Sequence, residues 1–176
     1  MQIRPARPDD CAEIAAIYAH HVLHGTASYE TEPPDTPEIA RRMERVLGSG
    51  WPWLVAEAGD GTLLGYAYAT QFRDRAAYRF VCEDSIYIRD DARGQGVGTA
   101  LLGALIEACT ALGFRQMIAV IGGAEPASEA LHARLGFTLA GRLGGIGRKQ
   151  GRWLDTLYMQ RALGPGSSEA PAFEPV

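Results

Sequence analysis

The sequence predicts an α/β domain built on one mixed sheet, and three observations carry that prediction. Stretches with strand alternation and stretches with helical periodicity follow one another along the chain. The apolar run at 117–121 reads as a strand covered on both faces. Between the strand-like segment at 81–88 and that run lies an apolar-periodic helix opened by a glycine-rich turn. Such a succession joins parallel neighbours through a right-handed crossover.

The elements follow in order. Residues 2–6 make a first strand. Pro8, Asp9 and Asp10 open a helix that places Ile14, Ile17, Tyr18 and Val22 on one face. The segment 25–34 is a loop, broken by Pro33 and Pro34. A weaker helix is expected at about 36–47, then a hairpin of strands 53–58 and 63–72 around Gly59, Asp60 and Gly61. The strand carrying Glu83 comes next. After it, Val97, Leu101, Leu105, Ala108, Cys109 and Leu112 have helical spacing. A short helix at 126–135 has Pro126 at its start, Gly136 and Phe137 lead into another strand, and 153–160 is the last. The chain is expected to form a single domain over 1–163, followed by a tail at 164–176 whose composition predicts disorder.

Composition narrows the function. A chain of 176 residues, 47% of them hydrophobic, can bury an ordinary core. A net charge of -4 gives no footprint for nucleic acid or an anionic membrane. Cys11, Cys82 and Cys109 are odd in number, widely spaced and set among apolar residues. They read as buried free thiols in a reducing compartment, without metal-ligand spacing. No apolar run approaches transmembrane length and the N-terminus lacks a signal-peptide core, so a soluble, cytoplasmic protein is expected. All but Lys149 of the 17 basic residues are arginine, a residue suited to bidentate recognition of carboxylate or phosphate.

The most informative stretch is Arg93, Gly94, Gln95, Gly96, Val97, Gly98 and Thr99, placed between a strand and a helix. Open N–H groups at a helix N-terminus bind phosphate, and glycine lets a ligand approach the main chain. No Lys-Ser/Thr pair follows, which excludes a P-loop, and the glycine spacing is not G-x-G-x-x-G. The remaining pattern, Arg93-x-x-Gly96-x-Gly98, resembles the pyrophosphate loop of the GNAT acyl-CoA N-acetyltransferases.

Other residues admit two readings each. Strand alternation puts Val81, Glu83, Ser85 and Tyr87 on one face. Glu83 is then either a base whose pKa burial raises, or a strand-end carboxylate paired with an arginine. His132 is a helix histidine bonded to a backbone carbonyl or a proton donor. Arg73, Arg75 and Arg79 form a solvated basic loop or a fork for an amino-acid carboxylate. Trp51, Trp53 and Trp153 read as core or interface aromatics, and nothing gives His20, His21 and His24 metal-ligand company.

The resemblance sharpens when the motifs are taken together. Ala27 to Pro33 (ASYETEP), Phe72-Arg73, Tyr78-Arg79, Glu83 to Ile88 (EDSIYI), Ala119 to Gly122 (AVIG), Leu131-His132, Leu135 to Phe137 (LGF) and Gly151 to Asp155 (GRWLD) occur in order. As a set they resemble the phosphinothricin and methionine sulfoximine N-acetyltransferases of the GNAT superfamily, over about residues 2–162. The resemblance implies a twisted mixed sheet of about seven strands flanked by helices, and acetyl-CoA as cosubstrate without a metal. It implies Glu83 as the base that deprotonates the substrate ammonium and His132 as the donor to the departing thiolate. A backbone N–H beside Ile86 or Tyr87 would face the oxyanion. Contacts to the cosubstrate fall on Ser85, Ile86, Tyr87, Ile88, the seven residues 93–99 and Ser128. Contacts to a small amino acid fall on Tyr29, Glu30, Phe72, Arg73, Tyr78, Arg79, Glu83 and Asp84. Lys149 and Trp153 are further candidates, contributed by the partner of a homodimer. One departure is that Glu125 stands in a segment where the family often has Asn for the pantetheine arm. That contact then falls to backbone or to Ser128. Two alternatives stay open: another amine acceptor, such as a different amino acid or a peptide N-terminus, and an acyl-CoA-binding sensor without turnover.

Overall fold

The computed structural model describes residues 1–171. Its strands are β1 (Gln2–Pro5), β2 (Trp53–Glu57), β3 (Leu63–Gln71), β4 (Val81–Ile88), β5 (Gln116–Gly122), β6 (Thr138–Lys149) and β7 (Arg152–Ala162). Its helices are α1 (Cys11–His24), α2 (Thr36–Gly48), α3 (Val97–Ala111) and α4 (Pro126–Arg134). The seven strands form one sheet in the order β1-β2-β3-β4-β5-β7-β6. Only β4 and β5 pair in parallel, and α3 is the crossover between them.

Side-chain alternation sorts the core into two layers. Trp53, Val55 and Tyr66 face α1 and α2, packing with Ile14, Ile17, Ile39 and Met43. Ala56, Ala67, Ala69 and Cys82 face the other way, beneath Leu101, Leu102, Leu105 and Cys109 of α3. Alanines on that face let α3 lie close to the sheet. All three cysteines are buried and free.

Two strands run longer than their sequence suggests. The β6–β7 hairpin spans 138–162 and carries register shifts in β6 between Leu139 and Gly141 and between Leu143 and Gly147. The glycines there break the apolar alternation that a sequence reading relies on. After β7 the chain turns back on the domain at Leu163, the last residue of the expected domain, and the expected tail begins in a turn. Leu163 is buried and its N–H bonds to Arg115 O at 2.9 Å, while Gly166 N–H bonds to Leu163 O at 2.9 Å. Gly164 and Gly166, at φ 52° and 58°, permit this turn. The end of the expected tail, 172–176, lies outside the described residues.

Candidate active site

The site originates in a fault of the sheet. Parallel pairing between β4 and β5 runs from Val81↔Gln116 to Asp84↔Ala119 and stops there. β4 continues against β3 to Ile88, and β5 continues against β7 to Gly122. The two central strands therefore diverge, leaving main-chain groups of β4 without a sheet partner on that side. A cavity of about 420 Å³ fills the opening, between residues 83–87 of one strand and 119–122 of the other. A second cavity, about 700 Å³, runs on from it to the N-terminus of α3. Both volumes lie in the range of small-molecule sites. The cavities share Ala27, Ile86 and Ser128, which form the throat between them.

The larger cavity has the features an anionic cosubstrate requires. Gly94 and Gly96 adopt φ 73° and 82°, where side-chain-bearing residues are strained. Gly96 caps α3 without any side-chain bond to the helix. The first helical bond is Ala100 N–H to Gly96 O at 3.1 Å, so the N–H groups of Val97, Gly98 and Thr99 have no partner within the helix. Together with the helix dipole they present the donors that a phosphate cradle requires. Gly98 serves packing instead, because a Cβ there would stand 3.1 Å from Leu131 of α4. Arg93, Arg134 and Arg152 give the rim a cationic bias against Asp90 and Glu125. Residues 93, 94 and 96–99 thus line one cavity together with Ile88 and Ser128. These residues fit the pyrophosphate and arm of an acyl-CoA.

Glu83 borders the smaller cavity from the face of β4 turned toward α1 and α2. Burial raises its pKa and its neighbour Asp84 adds to this, while Arg73, 3.7 Å away through Nη1, opposes them. A carboxylate shifted toward neutrality can accept a proton from an ammonium group.

Asp84 faces the opposite side of the strand and meets α4. His132 Nε2 lies 3.0 Å from Asp84 Oδ2, and His132 Nδ1 lies 2.7 Å from Ser128 O. A carboxylate and a carbonyl only accept, so the ring donates from both nitrogens and the pair holds an imidazolium charge. Burial alone would lower the His132 pKa, but the Asp84 carboxylate and the Ser128 carbonyl outweigh it and the direction is upward. Both side chains are 2% exposed. Asp84, expected at the substrate, lines the small cavity and is engaged with His132 through Oδ2.

The segment after α1 closes the small cavity from above. Tyr29 OH bonds to Thr156 Oγ1 at 2.7 Å and Asp155 O at 3.0 Å, and accepts from Gly123 N–H at 3.2 Å. Ser28 Oγ and Glu30 Oε1 both bond the Tyr18 hydroxyl, and Glu30 also pairs with Arg42. Lys149 is buried in its own chain, its Nζ donating to Ser28 O at 2.6 Å. Burial lowers its pKa, with the Glu30 charge acting the other way. Gly147 gives the Tyr29 ring its room, since a Cβ there would stand 2.6 Å from Tyr29 Cε2.

The remaining expected substrate contacts lie at the edge. Phe72 and Tyr78 pack edge to face at 5.8 Å in the loop between β3 and β4. Arg73 and Arg79 are exposed on the same loop, and neither lines the small cavity. Trp153 is 64% exposed on the β6–β7 hairpin. Gln95 is exposed and bonds Asp91 O. Ser85, Ile86 and Tyr87 line the opening, with the Tyr87 ring stacked on Tyr66. Tyr18, Thr156 and the Asp84–His132 contact were not foreseen. Strand alternation placed Asp84 opposite Glu83, on the α4 face, and was the available signal for the last of these.

A diverging pair of central strands, unpaired N–H groups at the first turn of the crossover helix and a half-buried carboxylate in the gap fit an acyltransferase of the acyl-CoA type. The chain belongs to the GNAT family, its residues 3–158 matching the family described as Acetyltransferase (GNAT) domain. It is 54% identical to a phosphinothricin N-acetyltransferase of Alcaligenes faecalis, covering 96% of this chain and 86% of that one. It is 40% identical to an L-methionine sulfoximine/L-methionine sulfone acetyltransferase of Pseudomonas paraeruginosa, over 94% and 96% of the two chains. The crystal structure of a GNAT superfamily phosphinothricin acetyltransferase from Sinorhizobium meliloti, in complex with AcCoA, superposes with a TM-score of 0.96 at 53% identity, covering 97% of this chain and 92% of that one. The seven-stranded mixed sheet expected from the sequence is the fold of this family. Among the described residues no helix is long and apolar enough to cross a membrane, and no cluster of metal-ligating side chains occurs.

Proposed function

We propose that the protein transfers the acetyl group of acetyl-CoA to the α-amino group of a small amino acid or analogue of the phosphinothricin and methionine sulfoximine type. The observation that carries this reading is Glu83 bordering the gap between β4 and β5, in a cavity that joins the phosphate cradle through one throat. The N–H groups at 97–99 and Arg93 hold the pyrophosphate, and the throat at Ala27, Ile86 and Ser128 passes the arm to the gap. Glu83 takes the proton of the ammonium group, directly or through water, so that the neutral amine attacks the thioester carbonyl. A main-chain N–H beside Ile86 or Tyr87, in the stretch where β4 has lost its β5 partner, receives the developing oxyanion. Arg73, beside Glu83, and Arg79 on the same loop pair with the substrate carboxylate next to the reacting amine. Phe72 and Tyr78 stiffen that loop, while Tyr29 and Glu30 close over the acceptor.

We also read the protein as a cytoplasmic homodimer. Leu139, Leu143, Ile146 and Trp153 are all exposed on the β6–β7 hairpin, and β6 is the sheet edge. An apolar edge of this kind is covered in a stable protein. The three free thiols suit a reducing compartment.

The test is release of free CoA from acetyl-CoA with phosphinothricin, methionine sulfoximine, methionine sulfone and a panel of amino acids. Turnover of an amino acid and loss of that turnover with its methyl ester are expected. Equal kcat/KM for acid and ester refutes carboxylate recognition and turns the reading toward a peptide or other amine.

A further inference from the structure

We infer that Ser128 is the group that protonates the departing CoA thiolate, and that the buried Asp84–His132 pair acts through it. This rests on the acetyl-transfer reading above. Three residues line both cavities, and two of them, Ala27 and Ile86, offer only apolar side chains. The Ser128 hydroxyl is therefore the side-chain proton donor at the throat, where the sulfur must pass. Its Oγ lies 3.4 Å from His132 Nδ1, on the far side of which Nε2 meets Asp84. His132 lines the small cavity but not the throat, and its Nδ1 is turned to Ser128, with the carbonyl O at 2.7 Å and Oγ at 3.4 Å, so it reaches the throat through that hydroxyl.

The two ends of the reaction also fall on opposite faces of β4. Glu83 takes its proton on the α1–α2 face, and the Ser128–His132–Asp84 chain stands on the α4 face. One group therefore does not have to both remove and return the proton. In the step itself the amine forms the new C–N bond, the C–S bond breaks and leaves its electron pair on sulfur, and the nitrogen gives its second proton to Glu83, which has already passed the first to solvent. Sulfur takes the Ser128 hydroxyl proton, and Ser128 Oγ takes the proton from His132 Nδ1. His132 ends neutral, still donating from Nε2 to Asp84. Solvent exchange then removes the proton from Glu83 and restores the one on His132. The charged group facing the ring is Asp84; Glu83 lies on the other face of the strand, and Glu125 and Arg134 line the cofactor cavity.

The experiment compares wild type, Ser128→Ala and Ser128→Thr with acetyl-CoA and the best acceptor, measuring kcat across pH and acetyl-CoA affinity by calorimetry. Ala is favoured over Ser inside a helix, so the first variant folds. The expected result is a kcat lowered by about 10²–10⁴ in Ser128→Ala, with acetyl-CoA affinity kept and Ser128→Thr restoring most of the rate. The basic limb of the wild-type profile, which reports loss of the His132 proton, should flatten in Ser128→Ala. An unchanged kcat, or a loss of acetyl-CoA affinity with the basic limb intact, overturns the inference and leaves Ser128 a pantetheine contact. A wild type that releases no CoA with any amine overturns the acetyl-transfer reading itself, and this inference with it. An active wild type with a normal Ser128→Ala variant overturns the inference alone.

Discussion

Replacing Gly147 by Ala tests how firmly the roof of the acceptor cavity is held. The added Cβ would lie 2.6 Å from Tyr29 Cε2, 2.7 Å from Cζ and 3.1 Å from Cδ2. Carbon atoms rest about 3.5–4.0 Å apart, so the ring must retreat by about 1 Å. Its hydroxyl cannot follow freely, being bonded to Thr156, Asp155 and Gly123. Each such bond contributes about 0.5–1.5 kcal/mol net, and overpacking costs about 1–3 kcal/mol. A loss of about 1–3 kcal/mol is expected, lowering Tm by about 2–12 °C for a chain of this size. Because the same loop closes the acceptor cavity, a displacement of about 1 Å should lower kcat/KM for the amino acid by about 10²-fold. Acetyl-CoA affinity should stay unchanged, since residues 93–99 lie in the other cavity. Denaturant titration and steady-state kinetics with each substrate varied in turn measure both effects. A double-mutant cycle with Tyr29→Ala, which removes the ring, should show strong coupling. Normal acceptor kinetics in Gly147→Ala, or additivity in the cycle, would refute the argument that Tyr29 transmits the clash.

Glu83→Gln should lower kcat/KM by about 10²–10⁴-fold and abolish the acidic limb of its pH profile. In wild type that limb should lie above the ordinary carboxylate range, because burial raises the Glu83 pKa and the base must be ionised to act; Arg73→Ala, which removes the opposing charge, should move it higher still. A limb at or below the free-carboxylate range would show that Glu83 is not the group titrating. Gly96→Val forces a branched residue into φ 82° at the mouth of the phosphate cradle. Calorimetry should show acetyl-CoA affinity lost while far-UV circular dichroism is kept, and undiminished affinity would count against the cradle. Trp153→Glu puts a charge on the exposed apolar hairpin and should shift sedimentation from dimer to monomer; a wild type that is already monomeric removes the dimer.

The order of elements was readable because strand and helix periods alternate cleanly through β1 to α4. The span of β4 and the glycines before α3 are local features, and a local reading reaches them. Glu83 was singled out by the same means, as a carboxylate in an apolar alternation. The Asp84–His132 contact joins residues 48 positions apart and depends on α4 docking across the strand. No local pattern reports such a docking. The Lys149 bond to Ser28 O spans 121 positions and arises because the β6–β7 hairpin folds over the loop after α1. That lysine had pointed to a partner subunit because its position in the hairpin is uninformative until the hairpin is placed. The tail at 164–168 misleads for another reason. Its composition is that of a disordered segment, but glycines that permit disorder equally permit a tight turn once Leu163 is anchored.

The burial of Lys149 also bears on how the protein tolerates its own reagent. A thioester acetylates any accessible unprotonated amine, and arginine side chains are far poorer nucleophiles at neutral pH. The chain carries one lysine, and its Nζ is enclosed and bonded to a main-chain oxygen. The described surface therefore offers a bound thioester no lysine as a competing acceptor, and lysine-directed dyes or resins would label the folded protein poorly.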